Sequence, residues 1–300
     1  MEIGLPATQN STEAQRAADA GQPASNVITA DLMQCLEDAQ CLHLARQVDS
    51  CRILYPNQHF STHYIAGGTA AVTLPELGRK LNNVVGFGAG SVKDTDLQTL
   101  EQLYANIGLP TSIDLCPFAS VETLELLASR GYSLNRYLNT YVHHLSDLSS
   151  LSTKAGRNVV ISNVREHEHD LFIRSSVDGF SDLGRSTDIL ETLAAIAVKR
   201  TDTLLYFAKV DNEIAATAAM ALMETKRGLV AYMYLDSTVP KHRRKGLQAA
   251  LYHARLLDAK KKGCQMAVVI TRTGTPSGIN AERLGFQLAY TRTLMLRNLQ

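Results

Sequence analysis

A basic turn with a single glycine, Lys241 to Gly246, stands between an apolar segment and a helical pattern. The preceding run, Leu229 to Leu235, predicts a buried strand. After the turn, apolar residues recur at helical spacing from Leu247 to Lys262 and predict an amphipathic helix. A helix that begins at a strand end directs backbone N–H groups and its positive dipole end toward one point. The sequence therefore predicts a site for a multiply charged anion such as a pyrophosphate.

The segments on either side of this turn extend the pattern. A short apolar run from Met266 to Ile270 predicts a buried strand. A second helix is expected from Pro276 to Leu284, with Ser277 as its cap, and Gly285 ends it. Phe286 to Leu296 reads as a last strand. The earlier strands are predicted at three further segments, Asn158 to Val164, Leu204 to Val210 and Ile214 to Met223.

The turn resembles the acetyl-CoA-binding loop of the GNAT N-acetyltransferase superfamily, Gln/Arg-x-x-Gly-x-Gly/Ala. Arg243, Gly246 and Gln248 occupy its three defined positions, and Ala249 follows. Gln248 departs from the pattern, because Gly or Ala is usual there. The resemblance covers roughly residues 157–300 and implies an α/β fold with a mixed, mostly antiparallel central sheet flanked by helices.

The resemblance implies that acetyl-CoA is the cosubstrate and that the backbone at the end of the preceding strand pairs with its pantetheine arm. The cofactor-binding residues expected on this basis are Asp236, Ser237, Thr238, Val239, Arg243, Arg244, Lys245, Gly246, Leu247, Gln248, Ala249 and Asn280. The basic turn also fits a solvated loop or a nucleic-acid patch. The formal net charge of only +1 gives no wider basic surface for a polyanion, so we expect no nucleic-acid partner.

The chain repeats itself. Gly131-Tyr132-Ser133-Leu134 recurs as Gly285-Phe286-Gln287-Leu288, at an offset of 154 residues. A repeat of this length implies two copies of one domain. We therefore expect a tandem GNAT-like arrangement. It consists of a disordered tail over 1–26, a degenerate copy over 27–150 and an acetyl-CoA-binding copy over 151–300.

The two copies differ at the loop. The first copy has Asp94 and Asp96 at the expected start of a helix, where they satisfy the helix dipole and repel phosphate. Gly86, Gly88 and Gly90 form a Gly-rich run, but no basic cluster follows them. Strand-end bulges or close backbone packing explain these glycines better than a phosphate cradle does. We expect the first copy to lack CoA.

Acetyl transfer to an amine needs a neutral amine, an oxyanion donor and a proton for the departing thiolate. In many members of the superfamily a tyrosine four residues before the Gly-Phe pair supplies that proton, and Ala281 stands at the matching position. The remaining candidates are Tyr232, Tyr234 and Tyr290. Strand alternation predicts that Asp236 shares a face with Tyr232 and Tyr234.

Two other features of the sequence are weaker candidates for a functional site. Glu166 to Asp170 alternates acids with two histidines, but the spacing fits the charged first turn of a helix better than a metal site. Cys264 is expected in the core, and the five cysteines show no Cys-x-x-Cys spacing. We expect reduced, buried thiols and no metal.

The sequence leaves two functions open. The first is an N-acetyltransferase of the cytoplasm that acts on a small-molecule amine, with no membrane association. The second is an acyl-CoA-binding sensor or scaffold with little turnover, because Ala281 replaces the usual acid. The oligomeric state stays without a prediction.

Overall fold

The computed structural model describes residues 28–146, 148, 158–184 and 186–299. The tail expected over residues 1–26 lies outside these ranges. The helices of the described residues are α1 (Ala30–Leu54), α2 (Gly78–Leu81), α3 (Asp94–Ala105), α4 (Val121–Ser129), α5 (His169–Asp178), α6 (Thr187–Lys199), α7 (Leu247–Lys261) and α8 (Pro276–Arg283). The strands are β1 (Ser61–Ile65), β2 (Gly68–Val72), β3 (Val84–Phe87), β4 (Thr111–Leu115), β5 (Ser133–His144), β6 (Val159–Asn163), β7 (Thr203–Val210), β8 (Glu213–Thr225), β9 (Gly228–Thr238), β10 (Met266–Arg272) and β11 (Gln287–Arg297).

The elements predicted around the basic turn are present. The expected strand before the turn, the helix after it and the last strand correspond to β9, α7 and β11. The cap of α8 differs from the prediction, because Thr275 is the N-cap residue and Ser277 lies inside the first turn. Pro276 fixes the backbone for the first helical position, so the helix begins two residues earlier than it would with Ser277 as its cap.

The strands form one eleven-stranded sheet in the order β1-β2-β3-β4-β11-β5-β10-β9-β8-β7-β6. Only two neighbouring pairs, β3 with β4 and β9 with β10, are parallel. The sheet is therefore mixed and mostly antiparallel, with helices packed against it. No helix in the described ranges is long and apolar enough to cross a bilayer.

The last strands of the two halves are exchanged. Strand β5, which ends the first copy of the repeat, pairs with β10 of the second copy. Strand β11, which ends the second copy, pairs with β4 of the first copy, and β5 and β11 also pair with each other. Each half of the chain thus completes its part of the sheet with the terminal strand of the other half.

The repeat is visible as a common order of elements. The series α3, β4, α4, β5 in the first half is matched by α7, β10, α8, β11 in the second. Gly131 and Gly285 both adopt positive φ, 78° and 84°, after the helix that precedes the last strand. Glycine is favoured at such a helix end, because an L side chain is strained there.

Helix α1, which the sequence patterns did not reveal, packs between the two halves. Its first residue follows Thr29, whose hydroxyl accepts a hydrogen bond from the Leu32 backbone N–H at 3.1 Å. Leu36 packs with Val230 and Val268 of the second half. Val48 lies in a cluster with residues of β2, β3 and α6. Burial of each such side chain contributes roughly 1.5–3 kcal/mol.

Candidate functional site

An opening in the sheet separates the ends of β9 and β10. The parallel ladder runs from Val230 paired with Met266 to Met233 paired with Val269, and there it stops. Both strands continue. Within the part of the chain that the structure describes, the end of β9 pairs only with β8, and the end of β10 pairs only with β5. From residue 234 onward this edge of β9 therefore has no partner strand among the described residues and is open to a third, strand-like partner, although the Thr238 carbonyl accepts a hydrogen bond from Arg243.

A bulge lies at the start of this opening. Leu235 has a positive φ of 55°, and the pairing of β8 with β9 shifts register nearby, between Thr217 and Ala219. A bulge adds one residue to a strand and reverses the direction of the side chains that follow. The prediction that Asp236 shares a face with Tyr232 and Tyr234 is therefore wrong. Asp236 instead faces α7, where it forms an ion pair with the fully buried guanidinium of Arg255.

The basic loop connects the end of β9 to α7. Pro240–His242 form one 3-10 turn, and Arg244 and Gly246 both have positive φ, 64° and 74°. Gly246 is the N-cap residue of α7, so the backbone N–H groups of the residues that follow it point out of the first helical turn. Arg244 and Lys245 are exposed beside these groups. The helix start expected from the sequence is thus present, and anion binding at it stays a prediction.

Arg243 has a different position from its two neighbours. One guanidinium nitrogen donates to the Asp182 carboxylate at 2.6 Å, and the group also donates to the backbone carbonyls of Gly179 and Thr238, each at 3.2 Å. It therefore fastens the segment after α5 to the end of β9. Arg244 and Lys245, whose side chains have no carboxylate partner among the described residues, supply the positive charge beside the helix N-terminus, with Lys245 Nζ 3.3 Å from His242 Nδ1.

The other expected cofactor residues surround the same opening. Gln248 in the first turn of α7 accepts a hydrogen bond from the Asn280 amide of α8 at 2.7 Å. Ser237 is buried and shares a hydrogen bond of 2.8 Å with Thr217 on β8. The structure thus brings the helix that follows the basic loop into contact with the middle of α8.

The three tyrosine candidates differ in what their hydroxyl groups contact. The Tyr290 hydroxyl bonds to Glu37 at 2.5 Å and to Arg292 at 2.9 Å. The Tyr234 hydroxyl bonds to Thr203 at 2.9 Å. Among the described residues, the Tyr232 hydroxyl has no hydrogen-bond partner, although only 7% of the residue is exposed. Tyr232 is thus the candidate whose proton is not already committed to a protein acceptor.

His43 of α1, which the sequence analysis did not single out, contacts both β9 tyrosines. Its ring stacks on Tyr232 and meets Tyr234 edge-on, with the Tyr234 centroid 4.6 Å away. Arg200 lies 3.0 Å from His43 Nδ1, and its guanidinium binds Asp202 through two hydrogen bonds of 2.8 Å. A signal was present in the sequence, since Glu37, Gln40 and His43 recur every three residues on one helix face.

The protonation state of His43 follows from its surroundings. Burial lowers the pKa of His43 well below its usual value, and the adjacent positive charge of Arg200 lowers it further. A guanidinium can only donate, so Nδ1 accepts and the proton of the neutral imidazole lies on Nε2. His43 therefore offers a hydrogen-bond donor at Nε2.

Ala281 and Cys264 both lie in the core. Ala281 is fully buried against Leu251, Leu256 and Phe286, so the position of the superfamily's tyrosine is filled by packing. Cys264 is buried in the same cluster, and burial raises the pKa of its thiol to about 11. All five cysteines are free and buried, as expected.

The histidine-containing segment before α5 is a helix start, as predicted. Glu166–Glu168 form a 3-10 turn that leads into α5, and the Glu168 carboxylate accepts from the Arg165 backbone N–H at 2.9 Å. Within the described ranges, no group of three His, Cys, Asp or Glu side chains is arranged to hold a metal ion.

The corresponding loop of the first half has a different backbone. Gly86 lies at the register shift between β3 and β4, with a φ of 71°. The N–H groups of Gly88 and Gly90 both donate to the carbonyl of Ala66, at 3.1 and 3.2 Å. The backbone N–H of Lys93 donates to Asp96 at 2.8 Å, so α3 is capped from within the chain. The glycines are thus a bulge and a packing surface, as the sequence analysis favoured.

Comparison with solved structures defines the fold. A GCN5-related N-acetyltransferase from Kribbella flavida superposes with a TM-score of 0.60 at 16% identity, over 87% of this chain and 96% of that chain. A functionally unknown conserved protein from Staphylococcus epidermidis gives 0.58 at 13% identity, over 83% and 97%. A tandem GNAT protein from the clavulanic acid biosynthesis pathway gives 0.50 at 12% identity, over 66% of each chain. No family model and no curated protein matches the sequence.

The chain has the fold of the GNAT acetyltransferases. At these identities the likeness concerns the architecture alone. The strand opening, the bulge and the loop at the start of α7 are features of this chain's own geometry, and they occur together at one place in that fold.

Proposed function

We propose that this protein is an acetyl-CoA-dependent N-acetyltransferase of the cytoplasm that transfers an acetyl group directly to a small-molecule amine. The observation that carries the proposal is the end of the β9–β10 ladder beside a basic loop that opens a helix. A pyrophosphate and an extended, amide-containing arm require these two features next to each other.

The residues present fit acetyl-CoA. The backbone N–H groups at the start of α7, with Arg244 and Lys245, would hold the pyrophosphate. The free edge of β9 over residues 236–239 would pair with the amides of the pantetheine arm. Gln248 and Asn280 are hydrogen-bonded to each other and would lie on one side of the bound molecule.

Tyr232 is the residue we assign to proton transfer. The neutral amine nitrogen attacks the thioester carbonyl carbon, the C–S bond breaks, the nitrogen loses one proton and the departing sulfur gains one, so that overall one proton moves from nitrogen to sulfur. The Tyr232 hydroxyl is without a protein acceptor among the described residues, whereas Tyr234 and Tyr290 already donate or share theirs. His43, stacked on Tyr232, fixes the orientation of its ring.

We assign the acetyl-CoA site to the second half only. In the first half the N–H groups of Gly88 and Gly90 are bonded to Ala66, and α3 is capped by Asp96. The N–H groups of Gly88, Gly90 and Lys93 are therefore occupied within the chain, and Asp94 and Asp96 at the helix start would repel a phosphate. The first half contributes α1, which covers the face of β9 that carries Tyr232.

Titration calorimetry together with an acetyl-transfer assay tests the proposal. We expect one acetyl-CoA site per chain and release of free CoA thiol that depends on an added amine. The second candidate, an acyl-CoA sensor, is favoured by the buried Ala281 and predicts binding without amine-dependent thiol release. Absence of acetyl-CoA binding would exclude both.

A further inference from the structure

The sheet face that carries Tyr232 has a group of arginines near the opening. Arg272 at the end of β10, Leu138 of β5 and Arg292 of β11 lie in one cross-strand row. The next row contains Arg136 of β5, Leu294 of β11 and Asp114 of β4. Residues paired directly across antiparallel strands point to the same face, so the arginines and Asp114 share one face.

Half of the positive charge in this group has no carboxylate partner among the described residues. Arg292 is fully buried and bonded to Glu37 at 2.7 Å, and Arg79 of α2 bonds to Asp114 at 3.2 Å. Neither Arg136 nor Arg272 has a carboxylate partner within the described ranges. The four arginines therefore face two carboxylates, which leaves an excess of two positive charges.

These groups are close enough to affect one another. Burial lowers the pKa of Arg79, Asp114 opposes this effect, and the positive charges of Arg136 and Arg272 lower the pKa further. Like charges that repel in the free protein attract an anion more strongly than one isolated charge does. Arg272 is exposed and Arg136 is half-buried, so both are accessible to a ligand.

The group lies beside the proposed reaction site. Val268 of β10 is level with Tyr232 in the parallel ladder, and Arg272 lies four residues further along the same strand. Four residues of strand span about 13 Å. An acceptor of amino-acid or small-peptide size, together with the long side chains of tyrosine and arginine, would span this interval.

We propose that the acceptor is an amine that also carries an anionic group, a carboxylate or a phosphate, bound by Arg136 and Arg272. This inference rests on the proposed acetyl transfer and specifies its substrate class. A guanidinium forms charge-assisted, bidentate hydrogen bonds with both kinds of anion. A cationic or uncharged amine gains nothing from this surface.

Matched acceptors test the proposal with the intact chain. Free amino acids are compared with their C-terminal amides, and aminoalkyl phosphates with the uncharged alkylamines of the same length. We expect kcat/KM to be at least about tenfold higher for the anionic member of a pair. Added salt should raise KM for the anionic acceptors and leave the neutral ones unchanged. Comparison of the amino-acid and phosphate series tells which anion is used.

Arginine variants test which residues cause the preference for anionic acceptors. Arg272→Gln and Arg136→Gln should each reduce the anionic preference by roughly tenfold through KM, with kcat and acetyl-CoA affinity retained. Arg283→Gln, at an exposed arginine of α8, is the matched control and should leave the preference unchanged. Equal use of both members of each pair by the wild-type chain would overturn the proposal without any variant, as would an intact preference in the double variant.

Calorimetry separates this inference from the proposed function. Binding of a free amino acid or aminoalkyl phosphate, but not of its neutral partner, supports the inference even where no acetyl transfer occurs. In that case the acetyltransferase assignment fails and the anion site stands. Acetyl transfer to neutral amines with no binding of anionic ones would support the acetyltransferase assignment and overturn the anion site.

Discussion

The imidazole of His43 in α1 stacks on the phenol ring of Tyr232 in β9, with centroids 4.1 Å apart and planes inclined by 14°. The two residues come from different halves of the chain. A side chain of the first half thus forms part of the site proposed in the second half. The first half is therefore built into the site, and its role extends beyond that of an adjoining domain.

Arg244→Glu should weaken acetyl-CoA binding by roughly 2–4 kcal/mol, because a charge-assisted contact becomes repulsive. Isothermal titration calorimetry measures this loss. Lys262→Glu, at the exposed far end of α7, is the control and should bind normally. Gly246→Val should also abolish binding, because Gly246 has a φ of 74° where a β-branched residue is strained. Two acetyl-CoA sites per chain, or full affinity in Arg244→Glu, would contradict this assignment.

Tyr232→Phe should lower kcat by about 10²–10⁴ while acetyl-CoA affinity stays nearly unchanged, because only a transferable proton is removed. Tyr234→Phe is the matched control on the same strand, since its hydroxyl is already bonded to Thr203. Steady-state kinetics with a saturating amine separate the two. Equal turnover in wild type, Tyr232→Phe and Tyr290→Phe would mean that water or the substrate supplies the proton.

Tyr290→Phe should reduce stability more than catalysis. Its hydroxyl donates to the buried Glu37 carboxylate, so phenylalanine leaves that group with one partner fewer. Loss of a hydrogen bond to a buried charged group costs about 1.5–3 kcal/mol. Urea unfolding followed by circular dichroism measures this loss. An unchanged unfolding midpoint would show that the Glu37–Tyr290 contact contributes little.

His43 should make stability depend on pH in acid. Its pKa is lowered in the folded chain, so below pH 6.5 the unfolded chain binds a proton that the folded chain does not. The contribution of neutral His43 to the free energy of unfolding is fully present above pH 6.5. It is lost as the pH falls toward the pKa that His43 has in the folded chain. The slope for one such group approaches about 1.4 kcal/mol per pH unit.

His43→Gln should remove this part of the slope, because glutamine keeps an acceptor for Arg200 and does not titrate. Chemical denaturation from pH 7 to pH 5 measures the difference from wild type. His59→Gln, at an exposed histidine, is the control. The same slope in wild type and His43→Gln would show that the folded chain protonates His43 normally.

The strand exchange predicts that the halves cannot be separated. A fragment of residues 151–300 lacks β5, so β10 and β11 lose the strand that lies between them. It also lacks α1, which exposes Tyr232 and Val268. We expect aggregation of the fragment, measured by size-exclusion chromatography. Co-expression of residues 1–150 and 151–300 as two chains should restore a soluble complex. A monomeric, active 151–300 fragment would contradict the exchange.

The local elements around the proposed site could be predicted from the amino-acid sequence. Apolar periodicity predicted β9, α7, β10 and β11, and Gly246 in a basic turn predicted a helix start suited to an anion. The repeat of Gly131-Tyr132 as Gly285-Phe286 predicted two copies of one domain. These features depend on neighbours within one helical turn or one strand, which is the distance over which backbone propensity and dipole effects act.

Tertiary structure alone decided what those elements contact. The exchange of β5 and β11 joins strands more than a hundred residues apart. The alternation of residues along β5 or β11 is satisfied equally by pairing with strands of its own half and by pairing with strands of the other half. The bulge at Leu235 reversed Asp236 toward Arg255, because one added residue changes the face of every residue after it. The contact of His43 with Tyr232 depends on where α1 packs. Packing follows the complementarity of whole surfaces, and a periodic pattern along one segment does not encode the partner.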